Sequence, residues 1–272
     1  MTLRTDEENI GDAQAQALRR LARYAAHEAA RVAGSAEGRP PALGAAARLT
    51  AIFCALADLA GTARFEAASV LTGRALELYI DIVLLTGDDD SLPLKRREFE
   101  SLRAFRAAHR ISSFGADAEG ATPLDVSAQT ARALHDGGID SVRKRVIDVW
   151  GPDNGGKPSY PVHWSGRQCT RVIAHNLGPE FEELYIRAYS MTDWLLGRAL
   201  EKSESVGPAD AAAVYDWCAS ACSLIVLEAL RVSLESAGET QRAQQLAYAA
   251  LKLRNNPGTL LSPEDIDTLI SL

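Results

Sequence analysis

The sequence predicts an all-α protein, a multi-helix bundle of about nine to ten helices with no sheet. Three observations lead there. Apolar residues recur at three- and four-residue spacing over most of the chain, whereas strand-like alternation is absent. Hydrophobic residues make up 47% of the 272 residues but aromatics only 6%, and much of the apolar fraction is alanine, the best intrinsic helix former. Clusters of glycine and proline separate the periodic stretches.

From Asp12 to Gly34, Leu18, Leu21, Ala22, Ala25, Ala29 and Val32 form one apolar stripe, with arginine and glutamate between them and glycine at the end. Gly38 to Pro41 breaks the chain, and Leu43 to Ala60 reads as a second, more buried helix that Gly61 closes. A helical hairpin is expected. Arg64 to Thr86 is the third helix, with Phe65, Ala68, Leu71, Leu76, Tyr79, Ile80 and Val83 on broad apolar faces. Its Arg74 and Glu77 lie one turn apart and are placed to pair with each other.

After an acidic loop from Gly87 to Pro93, Leu94 to Arg110 carries Lys95, Arg96, Arg97, Arg103, Arg106 and Arg110 above Phe99, Leu102 and Phe105. This basic helix is either an anion-contacting surface or a solvated face. Ile111 to Thr122 reads as a loop, Asp125 to His135 and Ile139 to Trp150 as two shorter helices, and Gly151 to Pro161 as the longest break, a hinge, a lid or a surface connection. Helices follow at about Gly166 to Asn176, Glu180 to Ser203, Pro208 to Ala237, Glu239 to Asn255 and Pro263 to Ser271. The last opens with Ser262 as cap, Pro263 in the first turn, and Glu264 and Asp265 at the positive end of the helix dipole. The expected organisation is a helical domain, 1–205, with a C-terminal helical subdomain, 206–272, packed on it, or one single domain.

A net charge of −7 argues against a general nucleic-acid coat or a binder of anionic membranes, since both need a clustered positive field. The residues from Met1 to Asp12 carry acids and no apolar signal core, and the uncharged run from Trp217 to Leu227 is too short to span a bilayer. A cytoplasmic protein is expected. Cys54, Cys169, Cys218 and Cys222 lie in apolar helical surroundings and read as reduced thiols. Cys218 and Cys222 share a helix face, but no second pair stands at metal-ligand spacing, so core packing is expected and no metal or cofactor is implied.

The most distinctive local feature is the module Tyr160-Pro161-Val162-His163-Trp164-Ser165-Gly166-Arg167, followed by Arg171, His175, the break Gly178-Pro179, and Tyr185 to Trp194. Arg167 and Arg171 share a helix face with His175 one turn on, a ladder of two guanidiniums and an imidazole suited to a phosphate or carboxylate and offering a group that titrates near neutral pH. His163, Trp164, Arg167, Arg171 and Tyr189 are the candidate ligand-binding residues. In the alternative, structural reading, Trp164 anchors the core and the cations meet Glu182 and Glu183.

The order Trp164-Ser165-Gly166, Arg167 and Arg171 on a helix, Gly178, Tyr185, then Tyr189-Ser190 resembles an uncharacterised bacterial all-helical family with a W-x-G element, an arginine-bearing helix, a glycine break and a Y-x(2,3)-Y-S element. The resemblance covers roughly residues 65–200. In that family a histidine follows the Y-S element, whereas here Met191-Thr192-Asp193-Trp194 follows Ser190, so an activity that used that histidine would be missing. A related class is the HEPN helical nucleases, which pair an arginine with a histidine four to six residues on to cleave RNA without metal. Arg103 and His109 have five residues between them and Arg20 and His27 six, although a chain this rich in arginine produces such pairs by chance, and Ala104 stands where that class carries a polar residue. Candidate catalytic residues are His175, Arg171, His109 and Arg103, although His175 falls outside that window, with three residues between it and Arg171 and seven between it and Arg167.

No G-x-S-x-G elbow, phosphate loop, H-E-x-x-H motif or dinucleotide fingerprint occurs. The expected function is a cytoplasmic binding or regulatory protein that engages a protein partner or a small anionic ligand through the His163 to His175 module. The alternatives are a HEPN-like, metal-independent endoribonuclease of a toxin or phage-defence system, acting on RNA with its arginine-histidine pair assembled across a homodimer, and a purely structural subunit of a complex.

Overall fold

A computed structural model describes residues 6–60 except 36–39, 65–114 except 88, 138–166, 170–200, 208–256 and 258–271. Ten helices are present among them: α1 (Asp6–Ser35), α2 (Pro40–Asp58), α3 (Phe65–Thr86), α4 (Leu92–Phe114), α5 (Gly138–Trp150), α6 (Thr170–Leu177), α7 (Pro179–Leu200), α8 (Pro208–Ser236), α9 (Thr240–Asn255) and α10 (Pro263–Ile270). No strand occurs among the described residues, only the isolated bridges Pro152–Pro158 and His163–Gly166. The all-α expectation is met. Several boundaries differ from it: α1 starts at Asp6 rather than Asp12, α6 at Thr170 rather than about Gly166, α2 at Pro40, because proline fits a first turn whose N–H groups have no acceptor, and α4 runs through Ile111 to Phe114, which local composition marks as loop. Arg167, Cys169 and the segment Asp125 to His135 lie outside the described residues.

The chain divides into two compact units, Met1–Gly87 with Arg171–Leu272, and Asp88–Thr170. The first is organised around α3 and α8. In α8 every residue from Cys218 to Leu230 is buried, so this helix is covered on all sides, as its nearly continuous apolar sequence requires. By length and composition its stretch Asp210–Ser236 could cross a membrane, yet 83% of the most apolar window is buried within the bundle. Two buried hydroxyls of α8 are satisfied within the helix: Ser223 donates to the Ala219 carbonyl at 2.7 Å and Ser233 to the Ala229 carbonyl at 2.8 Å. Burial pushes the Cys218 thiol up to about 11 and the Cys222 thiol higher still, so both behave as small core hydrophobes.

The α1 stripe Leu18, Leu21, Ala22, Ala25, Ala29 and Val32 is buried as its spacing predicts. The α8 helix ends in a Schellman turn, with Glu239 N–H donating to Leu234 O (2.9 Å), Gly238 N–H to Glu235 O (3.0 Å), and Gly238 at φ 81°. At α10, Asp265 N–H donates to Ser262 Oγ at 3.1 Å, the predicted cap.

Two buried glutamates tie α9 to its neighbours by the same device. Glu28 of α1 accepts from Arg31 one turn on (2.8 Å) and from Arg242 of α9 (3.1 Å). Glu228 of α8 accepts from Arg231 one turn on (2.8 Å) and from Arg254 of α9 (2.8 Å). A buried carboxylate is tolerable only when its oxygens have donors, and in both cases an arginine three residues away and an arginine of α9 supply them. Arg254 also lies 5.7 Å from the centroid of the Phe181 ring, which stacks on Tyr79 at 4.9 Å.

In the second unit, Leu102 of α4 and Val146 of α5 are buried, Phe99 meets Trp150 edge-on with ring centroids 6.5 Å apart, and Arg145 pairs with Glu98 at 2.8 Å. The stretch from Gly151 to Pro161 is not an open linker. Asp153 closes it as a tight turn: its Oδ1 accepts from Gly155 N–H (2.9 Å) and Lys157 N–H (2.8 Å), while its own N–H donates to Lys157 O (2.7 Å).

Candidate functional site

The module read from the sequence falls into two parts, and the boundary between the compact units runs through it, after Thr170. In the second unit, Trp164 is 2% exposed and His163 9%. Trp150 Nε1–H donates to the Trp164 carbonyl at 2.9 Å, and the Arg96 guanidinium lies 5.8 Å from the Trp164 ring centroid. His163 Nδ1 lies 2.8 Å from Ser165 Oγ and 3.3 Å from Ser165 N. Both side chains are packed, and a buried indole and a turn-bonded imidazole present little surface.

In the first unit, α6 and α7 meet at a sharp elbow. Gly178 at φ 151° makes it, and a Cβ there would lie 2.8 Å from Glu180 Oε2. Pro179 then starts α7, with Glu180 and Glu182 in its first turn at the positive end of the dipole. The elbow lays the Arg171 and His175 face of α6 against Glu182. Arg171 Nε donates to Glu182 Oε1 at 3.1 Å, and His175 Nδ1 meets Glu182 Oε2 at 2.6 Å. Arg171 is 59% exposed, His175 65% and Glu182 23%, so the cluster is at the surface. The hydrogen bond from His175, and then that from Arg171, holds the Glu182 carboxyl below its usual range. The cations thus close on an internal carboxylate, as the structural reading of the sequence anticipated for Glu182.

One turn farther along α7, Tyr185 and Tyr189 lie with ring centroids 4.4 Å apart. The Tyr189 hydroxyl donates to Glu77 of α3, whose other oxygen accepts from Arg74. Burial and the Glu77 carboxylate push the Tyr189 phenol well above its ordinary value. The Tyr189 ring packs over Gly73, and Thr192 donates to Ser69 Oγ at 3.2 Å. The Arg74 and Glu77 pair was legible from spacing, but the tyrosine that joins it, 112 positions away, was not. Val172 of α6 and Ile186 of α7, 42% and 40% exposed, flank the polar cluster.

On the basic face of α4, Arg96 meets Glu100 at 2.5 Å, Arg97 meets Glu98 at 3.7 Å, and Arg103 meets Glu100 at 3.9 Å, while the side chains of Arg106 and Arg110 are outside the described set. His109 lies on α4, and its side chain is outside the described set. Among the described residues no group of three or more His, Cys, Asp or Glu side chains could hold a metal ion. No family profile, curated protein or solved structure matches the chain.

Proposed function

We propose that the protein is a cytoplasmic helical binding or regulatory protein that works by recognition at the α6–α7 elbow, with another protein as its partner. The observation that carries this reading is the convergence of Arg171 and His175 on the Glu182 carboxylate at an exposed site. A small free anion would have to displace Glu182 and would gain nothing beyond the same two donors. A protein segment can offer its own carboxylate and also cover Val172, Ile186 and the Tyr185–Tyr189 pair, a mixture of apolar area and aligned polar groups typical of interfaces. The free thiols Cys54, Cys218 and Cys222 support a reducing compartment.

The test is site-specific photo-crosslinking at Val172 and at Ile186 in the expressing cell. A discrete protein adduct at both positions, weakened several-fold by Arg171→Ala with His175→Ala at unchanged helicity and unfolding midpoint, is expected. Absence of an adduct at both positions, or adducts indifferent to the double substitution, overturns the reading.

The HEPN-like ribonuclease is supported by the same contact from a different side, since an arginine and a histidine reach one acceptor and could jointly hold a phosphodiester if Glu182 moved away. Cleavage of RNA by the pure protein, abolished by His175→Ala, would establish it; intact RNA after prolonged incubation removes it.

A further inference from the structure

Away from the elbow, α1 carries Arg20, Arg23 and His27 at spacings of three and four, which puts them on one face, opposite the buried stripe. Together with Tyr24 of α1 and Arg242 of α9 they line a groove of about 530 Å³, the size of a small-molecule site. Its charge is unusual for a protein of net charge −7. The lining holds three arginines and a histidine against one carboxylate, Glu28, and that carboxylate is buried and already bonded by Arg31 and Arg242. Arg20 is paired with Asp267 across exposed side chains, a contact worth little in water and easily exchanged. Arg23 is exposed and stands in no ion pair among the described residues. His27, 76% exposed, has its Nδ1 3.6 Å from Glu28 Oε1, too far for a hydrogen bond. Arginine side chains from two helices thus line one space, beside a half-buried tyrosine and Ile270.

We propose that this groove binds a small phosphorylated ligand, its phosphate held by Arg23, His27 and Arg242. Arg20 joins when it exchanges Asp267 for the ligand, and the organic body rests against Tyr24 and Ile270. The site is independent of the elbow.

The experiment uses the full chain and inorganic pyrophosphate, with ADP as a second probe, by calorimetric titration and thermal unfolding at fixed ionic strength against a chloride control. A saturable stabilisation by pyrophosphate is expected, with affinity at least tenfold weaker in Arg23→Ala and in His27→Ala. Both side chains are exposed, so these variants keep the fold, and circular dichroism verifies it. Arg171→Ala should bind as the parent does. Tighter binding of ADP with the same sensitivity to substitution would show that the wall beside Tyr24 takes an organic group. Absence of saturable binding by either probe, or binding that Arg23→Ala and His27→Ala leave unchanged, overturns the proposal.

Discussion

Arg31 and Glu239, 208 positions apart in the chain, meet in a bidentate pair, Nη1 to Oε1 at 2.7 Å and Nη2 to Oε2 at 2.8 Å. The same guanidinium bonds Glu28, so one side chain joins α1 to the start of α9. The hydrogen bonds from Arg31 hold the Glu239 carboxyl below its ordinary value of 4.5. A depressed folded-state value means that the stabilisation is present above 4.5 and is lost as pH falls through the lowered value. Asp265, lowered by its bond from Lys252, acts with the same sign. Urea unfolding from pH 7 to pH 3 should show parent stability falling below about pH 4.5, with the gap between parent and Glu239→Gln narrowing as pH falls. A gap that stays constant from pH 7 to pH 3 would show that the pair does not titrate as described.

Glu228→Ala should lower stability by about 3 kcal/mol, toward the low end for breaking a buried ion pair, because each arginine keeps a second acid. Arg231 retains Glu235 at 2.7 Å and Arg254 retains Glu180 at 3.5 Å. Replacing Glu228, Arg231 and Arg254 together by methionine should cost far less, since no charge is then left buried. Denaturant midpoints of the two variants decide it.

Gly178→Ala should destabilise by more than about 1 kcal/mol, because alanine tolerates a positive φ poorly and its Cβ would meet the Glu180 carboxylate. Gly178→Ala with Glu180→Ala removes the collision but not the backbone strain, and should recover part of the loss in thermal unfolding.

Tyr189→Phe should cost about 1 kcal/mol by deleting the donor to Glu77, with helicity unchanged. In the Glu77→Gln background the same change should cost less, since the acceptor is no longer charged; a double-mutant cycle by urea unfolding measures the coupling.

Trp164→Ala should destabilise the second unit by about 3–5 kcal/mol, the range for truncating a buried aromatic. Hydrogen exchange should show protection lost in α4 and α5 while the buried turns of α8 keep theirs; uniform loss across α8 would show that the two units unfold as one.

Much of this was legible in the chain because helix faces and caps are local. The α1 stripe, the unbroken burial of α8 and the Ser262 cap each depend on residues within a few turns, where spacing and side-chain chemistry suffice. The make-up of the candidate site is not local in this way. Arg171 and His175 lie one helical turn apart and their joint orientation follows from the sequence, but Trp164 and His163 were grouped with them by proximity in the chain, which does not place residues in one compact unit.

Taken by itself, the sequence determined the helical class, which face of each long helix turns inward, and where several helices start and stop, because backbone hydrogen bonds and apolar periodicity are short-range. Only the tertiary structure decided which polar groups meet. Glu239 closes on Arg31, Glu77 on Tyr189, and Arg20, Arg23 and His27 share a groove with Arg242, because a charge takes its partner from whatever helix packing brings within a few ångströms, and no local pattern encodes that neighbour.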